Sequence, residues 1–185
     1  MTRTDAILLL RQYVKNERMI AHCLASEAVM RALAKRLNQD QEKWALAGLL
    51  HDLDVEITQG DMRVHSMETA RILKEYGLEY DILEAIMLHN EDAEHNRPRQ
   101  TVFQHALAAG ETITGLISAT ALVYPDKKLE NVKAKSIKKR MKEKAFAASV
   151  NRETIMECEK AGLSLDDFIE ISLDAMKEIA TDLGL

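Results

Sequence analysis

Helix-breaking residues are scarce in this chain. Its 185 residues include only seven glycines and two prolines, the residue types that interrupt an α-helix most strongly. Aromatic residues make up 4% of the chain, and no stretch shows the alternation of apolar and polar residues that is typical of a half-buried strand. The sequence therefore predicts an all-α fold, and its length favours a single-domain helical bundle over residues 1–185.

Apolar residues recur at helical spacing, as in Ile7, Leu10 and Val14. Capping residues and glycines then set the predicted ends. Two helices are predicted before about residue 36, and a third is capped by Asn38 or Asp40 and ends at His51-Asp52. Further helices are predicted at about 65–76, 79–89 and 101–122, followed by a basic helical stretch. A helix from Asn151 to Gly162 and a last helix that begins with Ser164-x-x-Asp167 complete the prediction. Residues 55–64 and 90–99 are predicted to be loops.

Charge and hydropathy exclude several classes of protein. The net charge of −5 argues against wrapping of nucleic acid by bulk electrostatics, so no duplex nucleic acid is expected as a partner. No run of about twenty apolar residues and no signal-peptide core is present, which predicts a cytoplasmic protein without a membrane partner. Cys23 and Cys158 are too few and too far apart to form a disulfide framework, so we expect buried free thiols.

Imidazole and carboxylate side chains recur in or beside consecutive predicted helices. The set consists of His22, the pair His51-Asp52, His65, His89 and Glu111. Such ligands suit Mn, Fe, Co, Ni or Zn, and a helical bundle can direct several of them to one interior point. Adjacent residues on a helix diverge by about 100°, but the His-Asp pair lies at a predicted helix end, where the backbone is free to turn. His95 and His105 lack partners at ligand spacing and are not predicted to be ligands.

The surrounding sequence adds to this pattern. The motifs are Leu49-Leu50-His51-Asp52-Leu53-Asp54, His89-Asn90-Glu91, Thr114-Gly115-Leu116-Ile117, Pro125-Asp126-Lys127-Lys128 and the final helix. Together with the ordered ligand set they resemble the HD superfamily, specifically its small stand-alone bacterial proteins of the HDIG type. The resemblance covers residues 18–185, and it implies a helical metal-dependent phosphohydrolase.

The resemblance also implies roles for the ligand set. A first metal would be held by four side chains, which here are His22, His51, Asp52 and Glu111. Family members with two metals use the positions of His65 and His89 as well, with the aspartate of the pair as a bridge. One or two divalent ions are therefore expected, and two ions would bind both the attacking and the leaving oxygen of a phosphoryl transfer.

Three positions depart from the family pattern. Glu111 stands where the family has an aspartate, so its side chain is one methylene longer. Asp54 and Val55 replace the glycine and the lysine that often follow the His-Asp pair. No Gly-Tyr-Pro motif follows His89, so the cyclic dinucleotide phosphodiesterase branch is not supported.

Acidic and basic residues near these motifs are candidates for catalysis and substrate binding. Asp52 is predicted to be catalytic through the metal, while Asp54 and Glu56 would be general bases, outer partners of the histidines, or solvated loop acids. Residues 126–144 reverse the sign of the chain's charge. Their cations would hold a phosphate or a nucleotide, or form a solvated face. The predicted contacts are Arg97, Arg99, Lys127, Lys128, Lys139 and Arg140.

Three functions stay open at this point. The leading one is hydrolysis of a small phosphorylated substrate, a nucleotide included, by metal-activated water. The second is a di-iron oxygenase of the HD type, and the third is a non-catalytic ligand-binding or signalling module that keeps the helical framework. A Met-rich or basic face would also support self-association as a homo-oligomer.

Overall fold

Ten α-helices and one short 3₁₀ helix form the chain in the computed structural model, which describes residues 1–185 and contains no strand. The predicted all-α fold is thus confirmed. The helices are α1 (Arg3–Tyr13), α2 (Glu17–Arg36), α3 (Gln41–Leu50), α4 (Met67–Glu75), α5 (Tyr80–His89), α6 (Val102–Leu122), α7 (Ala134–Met141), α8 (Arg152–Met156), α9 (Leu165–Glu178) and α10 (Ala180–Leu183), with the 3₁₀ helix at Leu129–Asn131.

Side-chain caps start several of these helices where the sequence predicted. Asp40 accepts a hydrogen bond from the backbone N–H of Lys43 and begins α3. Ser164 does the same for Asp167 at the start of α9. These side chains satisfy backbone donors that a helix N-terminus otherwise leaves free. Asn38, the alternative cap of α3, instead has a φ of +54° in the turn after α2.

The core forms around α2 and α6. A single cluster of 41 buried apolar residues extends from Ala6 in α1 to Met176 in α9. Helix α2 packs against α3, α6 and α9, while α6 also contacts α5 and α8. The rings of Trp44 and Phe103 stack at 5.1 Å and fasten α3 to the start of α6. Because α2, α3, α5 and α6 meet side by side, residues far apart in sequence can converge between them.

Two predicted helical segments are shorter in the structure. The helix expected from Asn151 to Gly162 is regular only through Met156, and tight turns with hydrogen bonds three residues apart follow it, as from Cys158 N–H to the Ile155 carbonyl. The basic stretch is helical only in the 3₁₀ helix and in α7. In both segments the residue types would allow a longer helix, but tight turns follow α7 and α8 instead. No helix combines the length and apolar character required to cross a bilayer.

Candidate metal centre

Five elements of the bundle deliver the ligand set to one place. His22 lies on α2, His51 and Asp52 directly follow α3, His65 precedes α4, His89 is the last residue of α5, and Glu111 lies on α6. The side chains of His51, Asp52, His65 and His89 are almost completely buried. Charged and polar groups that are buried together in this way need partners that offset their lost hydration.

Asp52 is the central residue of the cluster. Its Oδ1 lies 3.4 Å from His51 Nε2, 3.2 Å from His65 Nε2 and 3.4 Å from His89 Nε2, while its Oδ2 lies 3.5 Å from His22 Nε2. Two groups that could hold a metal ion share this carboxylate: His22, His51 and Asp52 form the first group, and Asp52, His65 and His89 form the second group. Burial alone would raise the pKa of Asp52, but the surrounding imidazoles outweigh it and hold the pKa well below its usual range.

Backbone carbonyls orient two of the histidines. The Nδ1 of His51 is 2.9 Å from the carbonyl oxygen of Gly48, and the Nδ1 of His89 is 2.7 Å from that of Ile86. A carbonyl only accepts, so in each ring Nδ1 carries the proton and Nε2 presents its lone pair to the cluster. Gly48 lies in the last turn of α3 and Ile86 in the last turn of α5, where carbonyl groups have no partner within the helix.

A threonine orients His22 in the same sense. The hydroxyl of Thr114 donates to the carbonyl oxygen of Glu111 at 2.7 Å, so it accepts from Nδ1 of His22 at 2.9 Å. The Nε2 of His22 then faces Nε2 of His51 at 3.1 Å. Burial lowers the pKa of His51 to about 3, which keeps that ring neutral. When both rings are neutral, two lone pairs face each other, and the contact is repulsive until a proton or a metal ion lies between them.

His65 lies between two carboxylates. Its Nδ1 is 2.7 Å from Asp54 Oδ1, and the other Asp54 oxygen accepts from the backbone N–H of Thr69 at 2.9 Å. Burial alone would lower the pKa of His65, but its hydrogen bonds to Asp52 and Asp54 outweigh burial and raise the pKa to about 10. A metal ion bound at Nε2 would replace the proton there and keep the bond to Asp54, an arrangement common around metal-binding histidines.

Glu111 lies at the edge of the first group. Its Oε2 is 3.7 Å from His22 Nε2, and its Oε1 accepts a hydrogen bond from Thr112. Burial raises the pKa of its carboxyl group. The role of fourth ligand stays a prediction for Glu111, since its carboxylate lies outside both groups.

The donor set fits a divalent transition metal. Four imidazole Nε2 atoms and a carboxylate converge, and the Nδ1 atom of each ring has a hydrogen-bond partner. Two donor atoms that each lie about 2.1 Å from one ion are about 3 Å from each other. The Nε2 atoms of His22 and His51 have nearly this separation. The ligand types match those of Mn, Fe, Co, Ni and Zn sites.

The cluster forms the floor of an open cavity of about 440 Å³. Its wall continues through Asn90 and Glu91 after α5, and through residues 149–151 and Thr154 at the start of α8. Glu91 joins these two parts of the wall, because its Oε1 accepts from Asn151 Nδ2 at 2.8 Å and from Thr154 Oγ1 at 2.9 Å. A volume of this size suits a small molecule.

Glu56 does not reach this cavity. Its Oε1 accepts from the backbone N–H groups of Lys15 and Asn16 at 2.8 Å each, so it closes the turn between α1 and α2. The structure thus gives no support for a general base at Glu56. Asp54 is fully buried and occupied by His65 and Thr69, so of its predicted roles the position favours the outer partner of a histidine.

The two arginines predicted to bind substrate point elsewhere. Arg97 pairs with Glu84 on α5. Arg99 is nearly buried and makes two bonds of 2.8 Å to Glu157 and one of 2.7 Å to the carbonyl oxygen of Leu88. Both arginines therefore hold the loop after α5 in place, and neither lines the cavity.

The four cations predicted from the basic stretch also lie outside the cavity lining. Lys127 and Lys128 belong to the turn after α6, where the backbone N–H of Lys128 donates to Asp126. Lys139 and Arg140 pair with Glu143. Lys127, Lys128 and Lys139 are exposed and Arg140 is half-buried, which fits the alternative interpretation of the stretch as a solvated face.

A protein-family model matches the part of the chain that holds the cluster. The family model described as HD domain matches residues 19–117, which is more than half of the chain and includes every residue of the cluster. The chain belongs to the HD domain family. The prediction from the sequence motifs is thus confirmed, and the HD domain's paired histidine and aspartate are His51 and Asp52 at the end of α3.

Curated relatives of this HD domain are much longer proteins. Ribonuclease Y of Nitratidesulfovibrio vulgaris (strain DP4) is 31% identical over 100 residues, which are 54% of this chain and 18% of that protein. Ribonuclease Y of Fusobacterium nucleatum is 22% identical over 163 residues, 88% of this chain and 32% of that protein. The chain therefore spans less than a third of the length of these relatives. Comparison with solved structures gave no match.

Several residues of the site were not singled out from the sequence. Thr114 and Thr69 hold His22 and Asp54, and Glu91 with Asn151 closes the cavity wall. Thr114 stands in one of the motifs that carry the family resemblance, so that motif was the available signal. A threonine hydroxyl on α6 that accepts a hydrogen bond from a histidine on α2 leaves no periodic pattern in the sequence.

We predict that Thr114→Val weakens metal binding at the first group by roughly 10- to 100-fold. Valine keeps the volume but leaves Nδ1 of His22 without an acceptor, so the ring loses its fixed orientation. Calorimetric titration of metal-free protein with Co²⁺ would measure the change. Thr120→Val is the matched control, because Thr120 is equally buried on α6 and bonds only to the carbonyl of Leu116. Equal affinities in the two variants would contradict the role of Thr114.

Proposed function

We propose that this HD domain is a metal-dependent phosphohydrolase that cleaves a phosphoester of a small substrate, with nucleotides in the class. The proposal rests chiefly on the two ligand groups that share Asp52 at the floor of an open cavity. Relatives that match the chain are named ribonucleases, and the cleavage of RNA is also cleavage of a phosphoester.

The reaction would proceed with water as the nucleophile. The attacking water gives up one proton as its oxygen bonds to phosphorus, the bond from phosphorus to the ester oxygen breaks, and the leaving oxygen takes up one proton, which gives an alcohol and a phosphate. A divalent metal supplies polarisation of the phosphate and lowers the pKa of water towards about 7. His22, His51 and Asp52 would hold one ion, and Asp52, His65 and His89 a second.

The chain's other residues would keep these ligands in position. Asp54 fixes the ring of His65, the carbonyls of Gly48 and Ile86 fix His51 and His89, and Thr114 fixes His22. Such outer partners select the tautomer that leaves Nε2 free. Glu111 would complete the first group as the fourth ligand, since its Oε2 lies 3.7 Å from His22 Nε2.

The test combines metal content with a phosphatase screen. Protein purified without chelator is analysed by elemental mass spectrometry, then stripped and reloaded separately with Mn, Fe, Co, Ni and Zn. Each form is offered nucleotides and simple phosphoesters, and phosphate release is measured. We expect release that disappears on stripping and returns on reloading. A folded, metal-loaded protein that releases phosphate from none of them would contradict the proposal, as would turnover that requires oxygen and reduced iron.

A further inference from the structure

The charge of the cavity lining is unusual for a site that is to receive phosphate. No lysine or arginine is among its sixteen residues, whereas four carboxylates are: Asp52, Glu91, Asp92 and Glu111. Asp52 and Glu111 lie at the cluster, where bound metal ions would offset their charge. Glu91 and Asp92 lie in the segment directly after His89, which forms part of the wall.

The two wall carboxylates differ in their partners. Glu91 is held by Asn151 and Thr154 and lies 3.3 Å from an Arg99 nitrogen, so part of its charge is offset. Asp92 makes no side-chain hydrogen bond or ion pair, and it is exposed. Its full negative charge therefore acts on whatever enters the cavity, since screening by salt is incomplete over a few ångströms.

The rest of the wall is uncharged. Val55, Met62 and Val150 supply apolar surface, while Ser149 and Asn151 supply hydroxyl and amide groups. These groups suit the body of a substrate that is neutral, partly apolar and able to form hydrogen bonds. They include no positive charge that would offset the charge of a second phosphate.

We propose that the site accepts substrates with a single phosphate on an uncharged body, such as a nucleoside monophosphate, and disfavours nucleoside di- and triphosphates and polynucleotides. This inference rests on the proposed function, because it assumes that the scissile phosphate is the one held at the cluster. A second phosphate would extend away from the metal ions towards Asp92, where like charges repel.

The experiment compares nucleoside mono-, di- and triphosphates of one base, with the concentration of free metal held equal. Binding to metal-loaded protein is measured by calorimetry, and kcat/KM is measured by chromatography of the products. We expect the monophosphate to exceed the triphosphate by at least about tenfold in both measurements. A short single-stranded RNA is included, and we expect it to be cleaved at least about tenfold more slowly than the monophosphate is hydrolysed.

A pair of charge reversals tests the cause. Asp92→Lys should raise the ratio of triphosphate to monophosphate affinity by about tenfold, and Asp92→Asn by less. Glu94→Lys is the matched control, because Glu94 is exposed in the same loop but does not line the cavity. That control should change the ratio less than about twofold if proximity to the cavity is what matters.

The outcomes separate this inference from the proposed function. Hydrolysis of triphosphate or RNA as fast as monophosphate would overturn the inference and leave the phosphohydrolase proposal intact. Selective binding of the monophosphate without turnover of any phosphoester would overturn the proposed function, while the binding preference would still stand. Equal effects of Asp92→Lys and Glu94→Lys would also overturn the inference, since they would assign the preference to overall charge.

Discussion

Asp52→Ala is expected to lose bound metal at both groups and to reduce phosphoester turnover by on the order of 10³-fold or more. Asp52 is the residue common to the two groups, with an oxygen within 3.5 Å of each of the four imidazoles. Its removal takes the only negative charge from the centre of the cluster. Elemental analysis of the purified variant and kcat on the best substrate from the screen would measure the two effects.

Two further variants show whether the loss is specific. Asp52→Asn keeps the shape of the side chain without its charge, so we expect weaker metal binding but more residual metal than in Asp52→Ala. Asp61→Ala removes an aspartate that pairs with Arg63 and does not line the cavity. We expect Asp61→Ala to retain metal and rate. Unchanged metal content in folded Asp52→Ala would refute the assignment of the metal centre.

Gly48→Ala is expected to lower the free energy of unfolding by about 3 kcal/mol and to impair metal binding. A Cβ at this position would lie 2.5 Å from the carbonyl oxygen and 2.8 Å from the carbonyl carbon of Ser26. These are backbone atoms of α2, so they cannot rotate away, and α3 would have to move. Urea denaturation would measure the stability, and calorimetric titration with Co²⁺ the affinity.

Weaker metal binding is expected because Gly48 contacts both α2 and His51, which provide ligands of the first group. Helix α2 carries His22, and the carbonyl of Gly48 orients His51. Gly115→Ala is the control, since its Cβ would meet only Val150 Cγ2 at 3.3 Å. Within a helix, alanine is more favourable than glycine by about 1 kcal/mol, so Gly115→Ala should keep or raise the free energy of unfolding. A Gly48→Ala protein with unchanged unfolding energy would show that the close approach of α2 and α3 is not required.

Much of the metal cluster was predictable because its members are distinctive residue types in a fixed order. His22, His51, Asp52, His65 and His89 are brought together as the sequence indicated. The neighbouring residues His51 and Asp52 both reach the cluster because the helix ends before them. On a continuing helix the two side chains would diverge, but α3 ends at Leu50, and both side chains then face the same point, as the predicted helix end allowed.

The partners of the arginine and lysine side chains were not predictable from the sequence in the same way. Arg99 and Arg140 had a suitable charge and lay near the right motifs, yet each is paired within the protein, Arg99 with Glu157 and Arg140 with Glu143. Which carboxylate an arginine meets depends on how loops pack, and the sequence carries no periodic signal for this. The position of Glu56 outside the cavity was not predictable for the same reason, because its partners are backbone N–H groups about forty residues earlier.

Part of the cavity wall comes from a later segment of the chain than the floor. The floor lies within residues 19–117, the part that the HD domain model matches, whereas residues 149–151 and Thr154 lie beyond it and are joined to it through Glu91. Substitutions in this later segment would alter what fits above the cluster without disturbing any ligand. Proteins that share the same metal chemistry can thus diverge in the molecules they accept, and a transplant of this short segment between them would be a direct way to exchange preference.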